Sequence, residues 1–128
     1  MEEKIMHKDL SGQIIGAAFE VHNILGYGFL EKVYENALMH ELFLRGIRAE
    51  QQKRVVVIYK EKDVGDYCTD VLVENEILLE LKAEKCYNKQ HEKQLLNYLK
   101  ATKIKLGYLI NFGEEKVEFK RFISSPKF

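Results

Sequence analysis

The chain has 128 residues, 46% hydrophobic and 31% charged, with eight glycines and one proline, which is the composition of one folded domain and excludes both a multidomain machine and a disordered segment. Twenty basic side chains balance twenty acidic ones, so no global basic charge marks a nucleic-acid binder, and any such role must come from local charge. No apolar run approaches the roughly 20 residues of a membrane span, MEEKIMHKDL lacks the apolar stretch of a signal peptide, and Cys68 and Cys86 form no CxxC pattern; the reading is a cytoplasmic protein with two reduced thiols and no membrane partner.

Asp9 is placed to cap a first helix whose apolar positions Ile14, Ala17, Ala18, Val21, Ile24 and Leu25 recur at helical spacing until Gly26. The segment GYG makes a turn. A second helix is expected from about Phe29 to Arg45, with Leu30, Val33, Tyr34, Ala37, Leu38 and Leu42 inward and Gly46 as its left-handed terminator. A β-branched run, Val55 to Tyr59, precedes KEKDVG, read as a turn; DYCTDVLV, the break Glu74-Asn75, and EILLELKA then complete an antiparallel meander. Ile77 to Ala83 is apolar on both faces apart from Glu80 and Lys82, the mark of a central strand covered on each side. A third helix over His91 to Thr102 and a buried strand in KLGYLINFG form a strand-helix-strand crossover, and Val117 to Ile123 closes the chain. The expected fold is α/β, a single domain over residues 1–128 with one mixed sheet in the order α-α-β-β-β-α-β-β.

Charge is unevenly spread. Residues 82–105 hold seven lysines against Glu84 and Glu92, whereas residues 1–50 and 51–81 are each net negative. This segment is either a solvated helix face or a phosphate-facing patch.

Ionisable residues at positions that should be apolar are more informative, because an unpaired buried charge is costly. Strand alternation puts Asp70 on the side of Cys68 and Leu72, and Glu80 and Lys82 on the side of Leu78. If the two strands are hairpin neighbours, Asp70 lies beside Glu80 across the ladder, with Lys82 alongside. On the second helix Glu31 falls within the apolar stripe, whereas Glu35 lies at its margin, reaches water and is assigned no role. Gathered carboxylates repel, and a hard divalent cation such as Mg2+ or Mn2+ is the common way to hold them ionised. The pattern is therefore that of phosphoryl-transfer chemistry, or else of a buried ion-pair network without catalysis. Gln94 and Tyr98, four apart on the third helix, share a face with His91; from the residues alone Tyr98 reads as a core tyrosine, His91 as a capping or surface histidine and His22 as a satisfied, half-buried one.

The stretch Gly28-Phe-Leu-Glu31-Lys-Val-Tyr34 resembles the signature of the GxxExxY proteins, a bacterial and archaeal family of the PD-(D/E)XK nuclease superfamily, and the similarity extends to YCTDVLVE, ILLELKA, QLLNYLKAT, LGYLINFG and KRFI. The resemblance implies a restriction-endonuclease-like fold and a Mg2+- or Mn2+-dependent nuclease acting on DNA. Asp70, Glu80, the carbonyl of Leu81 and Glu31 are then the metal ligands, and Lys82 orients the water or stabilises the pentavalent phosphorus. Gln94 and Tyr98 become the QxxxY element of the subset related to the RecB nuclease, and Lys85 and Lys89 substrate contacts. Thr69 stands where the superfamily usually has proline. The alternative is a catalytically weak nucleic-acid-binding or protein-interaction module that keeps the fold. A chain this small also implies self-association or a partner protein that selects the substrate.

Overall fold

A computed structural model describes residues 7–124; the ends of the expected domain, 1–6 and 125–128, lie outside the described residues. The elements follow in the order α1 (Lys8–Leu25), α2 (Glu31–Leu44), β1 (Ala49–Tyr59), β2 (Lys62–Val73), β3 (Ile77–Lys82), a 3-10 turn (Lys89–His91), α3 (Glu92–Thr102), β4 (Leu106–Phe112) and β5 (Val117–Ile123). The strands form one sheet in the order β1-β2-β3-β4-β5, so β3 is central, as its two-sided apolarity requires. β3 and β4 run parallel and every other neighbouring pair antiparallel. Helix α3 lies between the two parallel strands in sequence and supplies the crossover that a hairpin cannot.

Two cores sandwich the sheet. On one face α1 and α2 bring Ile14, Ala17, Val21, Tyr34, Leu38 and Leu42 against Val71, Val73, Leu79, Leu81, Ile110 and Phe112. On the other, α3 places Leu95 and Leu99 against Leu72, Leu78 and Leu109. Alternation along β3 sends Leu79 and Leu81 to the first core and Leu78 to the second.

Several boundaries differ from the sequence reading. Asp9 does not cap α1: the helix begins at Lys8, His7 holds the N-cap position without a side-chain bond, and Asp9 sits in the first turn, where its charge still complements the helix dipole. Helix α2 starts at Glu31 rather than Phe29, so Leu30 and Val33 are exposed, as is Ile24 at the end of α1. These three sit at the open ends of the helices, where spacing alone does not guarantee a neighbour. KEKDVG is mostly strand: only Lys60 and Glu61 turn, both left-handed, and β2 resumes at Lys62. Strand β1 begins at Ala49, because an edge strand exposed to water accommodates the polar run AEQQKR. The expected two-residue break at Glu74-Asn75 is a three-residue turn, because Val73 pairs with Ile77 and leaves Glu76 in the turn as well, its N–H donating to the Val73 carbonyl, with Glu74 and Asn75 left-handed.

The α1–α2 turn is anchored from the core. The Tyr34 hydroxyl donates to the Gly26 carbonyl at 2.5 Å, its ring stacks on Phe112 with centroids 4.7 Å apart, and His22 Nε2 lies 2.7 Å from the Gly113 carbonyl oxygen. Gly26 and Gly28 carry φ of 73° and 120°, conformations that a side chain would strain.

Candidate active site

The centre of interest is the end of β3 beyond its apolar stretch. Leu78 faces α3, and two residues on, the same side carries Glu80, which is 7% exposed. Lys82 follows two further on, half-buried, with its ammonium 3.9 Å from Glu80 Oε2. β3 keeps its register with β4 through Glu80 and Lys82, so the parallel neighbour holds this stretch straight.

The other neighbour does not. β2 pairs with β3 only over Val71 to Val73. Asp70, the next residue back on β2, uses its side chain instead: Oδ2 accepts the Leu81 N–H at 2.7 Å. The carboxylate thus takes up an amide of β3 between Glu80 and Lys82 and ties the second acid to the strand that bears the first. The sequence expectation of Asp70 beside Glu80 holds in outcome, though by a side-chain bridge past the end of the ladder.

Burial and mutual repulsion raise the pKa of each acid. The Glu80 carboxyl is pushed up to about 8, first by desolvation, then by the charge of Asp70, with Lys82 opposing and Glu31 and Glu35 adding. Asp70 is raised by desolvation, against the pull of its Leu81 hydrogen bond, with Glu35 adding and Lys82 opposing. Glu31 is raised by desolvation and by Asp70, with Lys82 again opposing. Glu31, Asp70, Glu80 and Lys82 therefore share one field.

Glu31 and Glu35 differ from the sequence reading. Glu31 has the expected angle on α2, but as the first residue of the helix it is exposed. Glu35 is the buried one, 3% exposed, and accepts hydrogen bonds from Gln51, Gln52 and Lys32.

Gln94 and Tyr98 do meet: Gln94 Nε2 donates to the Tyr98 hydroxyl at 2.5 Å. Tyr98 stacks on Tyr67 of β2 with ring centroids 3.7 Å apart, and the Tyr67 hydroxyl donates to the Tyr98 carbonyl. Burial, then Glu80, raise the Tyr98 hydroxyl, and burial raises that of Tyr67, so the ring pair borders the acidic cluster. Lys85 and Lys89 are exposed, and Lys85 stands 3.9 Å from Glu114. His91 Nε2 lies 2.8 Å from Glu84 Oε2.

Three residues escaped the sequence reading: Glu35, Tyr67 and Asn111. Asn111, 2% exposed, accepts the Glu84 N–H and donates to the Glu84 carbonyl, each at 2.9 Å, fixing the chain just after Lys82. A lone amide in the buried strand LGYLINFG is the signal that could have found it.

Among the described residues, no three His, Cys, Asp or Glu side chains are gathered closely enough to hold one metal ion. The donors at the end of β3 nevertheless suit a hard cation. They are all oxygens, and burial together with the charge of Asp70 raises Glu80 despite the ammonium 3.9 Å away, a surplus of acidic groups that a divalent ion would suit.

The model of the PD-(D/E)XK nuclease superfamily matches residues 8–122, and the chain belongs to that superfamily. No curated protein matches it significantly. Among solved structures it is similar to SSO0001, with a TM-score of 0.57 at 17% identity over 75% of this chain. The shared feature is the fold, and the match spans 50% of that longer chain. An alkaline exonuclease, LHK-Exo from Laribacter hongkongensis, aligns over 84% of this chain and 76% of its own, with 10% identity and a TM-score of 0.43. The superfamily match is what makes this a nuclease-like fold, and no helix of the described residues is long and apolar enough to cross a membrane.

Proposed function

We propose that the protein is a divalent-metal-dependent nuclease that hydrolyses phosphodiester bonds of DNA, and that within the superfamily it is a prokaryotic GxxExxY protein. The observation that carries this reading is the bond from Asp70 to the Leu81 amide, which gathers two carboxylates and the Lys82 ammonium at the end of one strand. Asp70, Glu80, the Leu81 carbonyl and Glu31 are the residues to hold Mg2+ or Mn2+. When bound, such an ion supplies Lewis acidity and a water of lowered pKa. Lys82 is placed to orient the attacking water and to stabilise charge on the phosphate oxygens. Glu80, whose carboxyl is raised by burial and then by Asp70, would hold the ion as a carboxylate, so any proton it carries would be released on binding. In this reading Gln94 and Tyr98, which bond to one another, hold the substrate, and Lys85 and Lys89 contact its phosphates. Self-association or a partner protein that selects the substrate belongs to this reading, and the free, exposed Cys68 and Cys86 accord with the cytoplasm.

The test is incubation of the purified protein with single-stranded, duplex and branched DNA in Mn2+, beside Glu80→Ala and Lys82→Ala. Cleavage lost in both variants supports the proposal. DNA binding without cleavage by the wild type would replace it with the binding-module alternative, and cleavage surviving both substitutions would place the chemistry elsewhere.

A further inference from the structure

Glu35 is more deeply buried than Glu80, yet the chemistry above gives it no task. Burying a carboxylate is unfavourable unless donors surround it, and here they do. Gln51 Nε2 donates to Oε2 at 2.7 Å, Gln52 Nε2 to Oε2 at 3.1 Å and to Oε1 at 3.2 Å, and Lys32 to Oε2 at 3.2 Å. Both glutamines lie at a gap of one pair in the β1–β2 ladder. Gln51 pairs with Val71 and Lys53 with Thr69, whereas Gln52 and Asp70 between them are skipped. Gln52 is left-handed there, with φ of 55°, a conformation unusual for a residue with a side chain and held only when its surroundings impose it. Across from it Asp70, free of β1, turns to the Leu81 amide.

We infer that Glu35, acting through Gln52, is a positioning residue that holds the left-handed conformation of Gln52 in β1 and thereby leaves Asp70 free to turn to β3. Because Glu31 lies one turn earlier on the same helix, the same contact sets the spacing between the acid on α2 and the acid on β2. The inference deepens the proposed function and rests on it for its catalytic consequence, but its structural part stands apart from any metal.

Gln52 is exposed, so Gln52→Ala leaves the cores intact. The metal-free readout is hydrogen exchange at the Leu81 amide of the full chain. Gln52→Ala and Glu35→Gln are expected to speed it about tenfold or more, with the Ile110 amide of β4 unchanged. The reversed pair Glu35→Gln/Gln52→Glu restores carboxylate-to-amide bonding and is expected to restore protection. With Mn2+ and DNA, Gln52→Ala is expected to weaken Mn2+ binding and lower kcat about tenfold, with KM for DNA unaltered. Unchanged Leu81 exchange in the folded variants would overturn the positioning role even if the wild type binds Mn2+ and cuts DNA. Accelerated exchange in a protein that neither binds Mn2+ nor cuts would sustain the positioning role and sink the nuclease reading instead.

Discussion

β3 has two very different neighbours. With β4 it pairs in unbroken parallel register from Ile77 to Lys82, whereas with β2 it pairs over three residues before the two part. The regular side is a floor: six consecutive pairs and two cores fix the backbone that carries Glu80 and Lys82. The unzipped side is where polar groups collect, because an amide of β3 freed from the ladder still needs an acceptor and Asp70 provides one. The acids thus gather where regular pairing stops, beside a strand held in unbroken register.

The sharpest way to break the contrast is to remove an acid from the unzipped side while leaving the floor intact. Asp70→Ala is expected to abolish the rise in melting temperature on Mn2+ addition and to lower DNA cleavage by about a thousandfold, roughly 4 kcal/mol in the barrier. The reverse experiment attacks the floor. Leu79→Ala removes a fully buried side chain of the larger core and is expected to cost about 3 kcal/mol in urea unfolding.

Acidity distinguishes the two sides more gently. Glu80 carries a folded-state pKa near 8 against an ordinary 4.5, so the folded protein binds this proton more tightly than the unfolded chain. The stability it contributes is complete below about pH 4.5 and is lost as pH rises through 8. In the absence of divalent ions the melting temperature is therefore expected to fall from pH 5 to pH 8, and Glu80→Gln to flatten that slope. Because the cation competes with the same proton, Mn2+ affinity measured by calorimetry is expected to rise over this range. The smallest effect concerns the ring pair beside the site: Tyr67→Leu removes the stack on Tyr98 and is expected to cost about 1 kcal/mol in thermal unfolding.

The sequence conveys the helices, the central strand and the Asp70, Glu80 and Lys82 set because each is written in local periodicity: helical spacing, two-sided apolarity, and charges breaking an apolar pattern. It conveys less where the outcome depends on what lies opposite. Glu31 has the angle of a buried residue and Glu35 that of a marginal one, yet Glu31 projects at a helix end and Glu35 meets Gln51 and Gln52. The left-handed conformation of Gln52 has no glycine or proline to announce it, and the hydrogen bonds that its side chain donates to Glu35 are visible only in three dimensions. Likewise Leu30 and Val33 fit a helical stripe that continues past the sheet they were expected to cover.

The proposed function requires Asp70 and Glu80 to hold one divalent ion at the parting of β2 and β3. Anomalous scattering from crystals soaked in Mn2+ tests it directly. A single strong peak is expected within about 2.5 Å of carboxylate oxygens of both residues; a peak elsewhere, or none at this junction in a protein that still cuts DNA, would rule this site out.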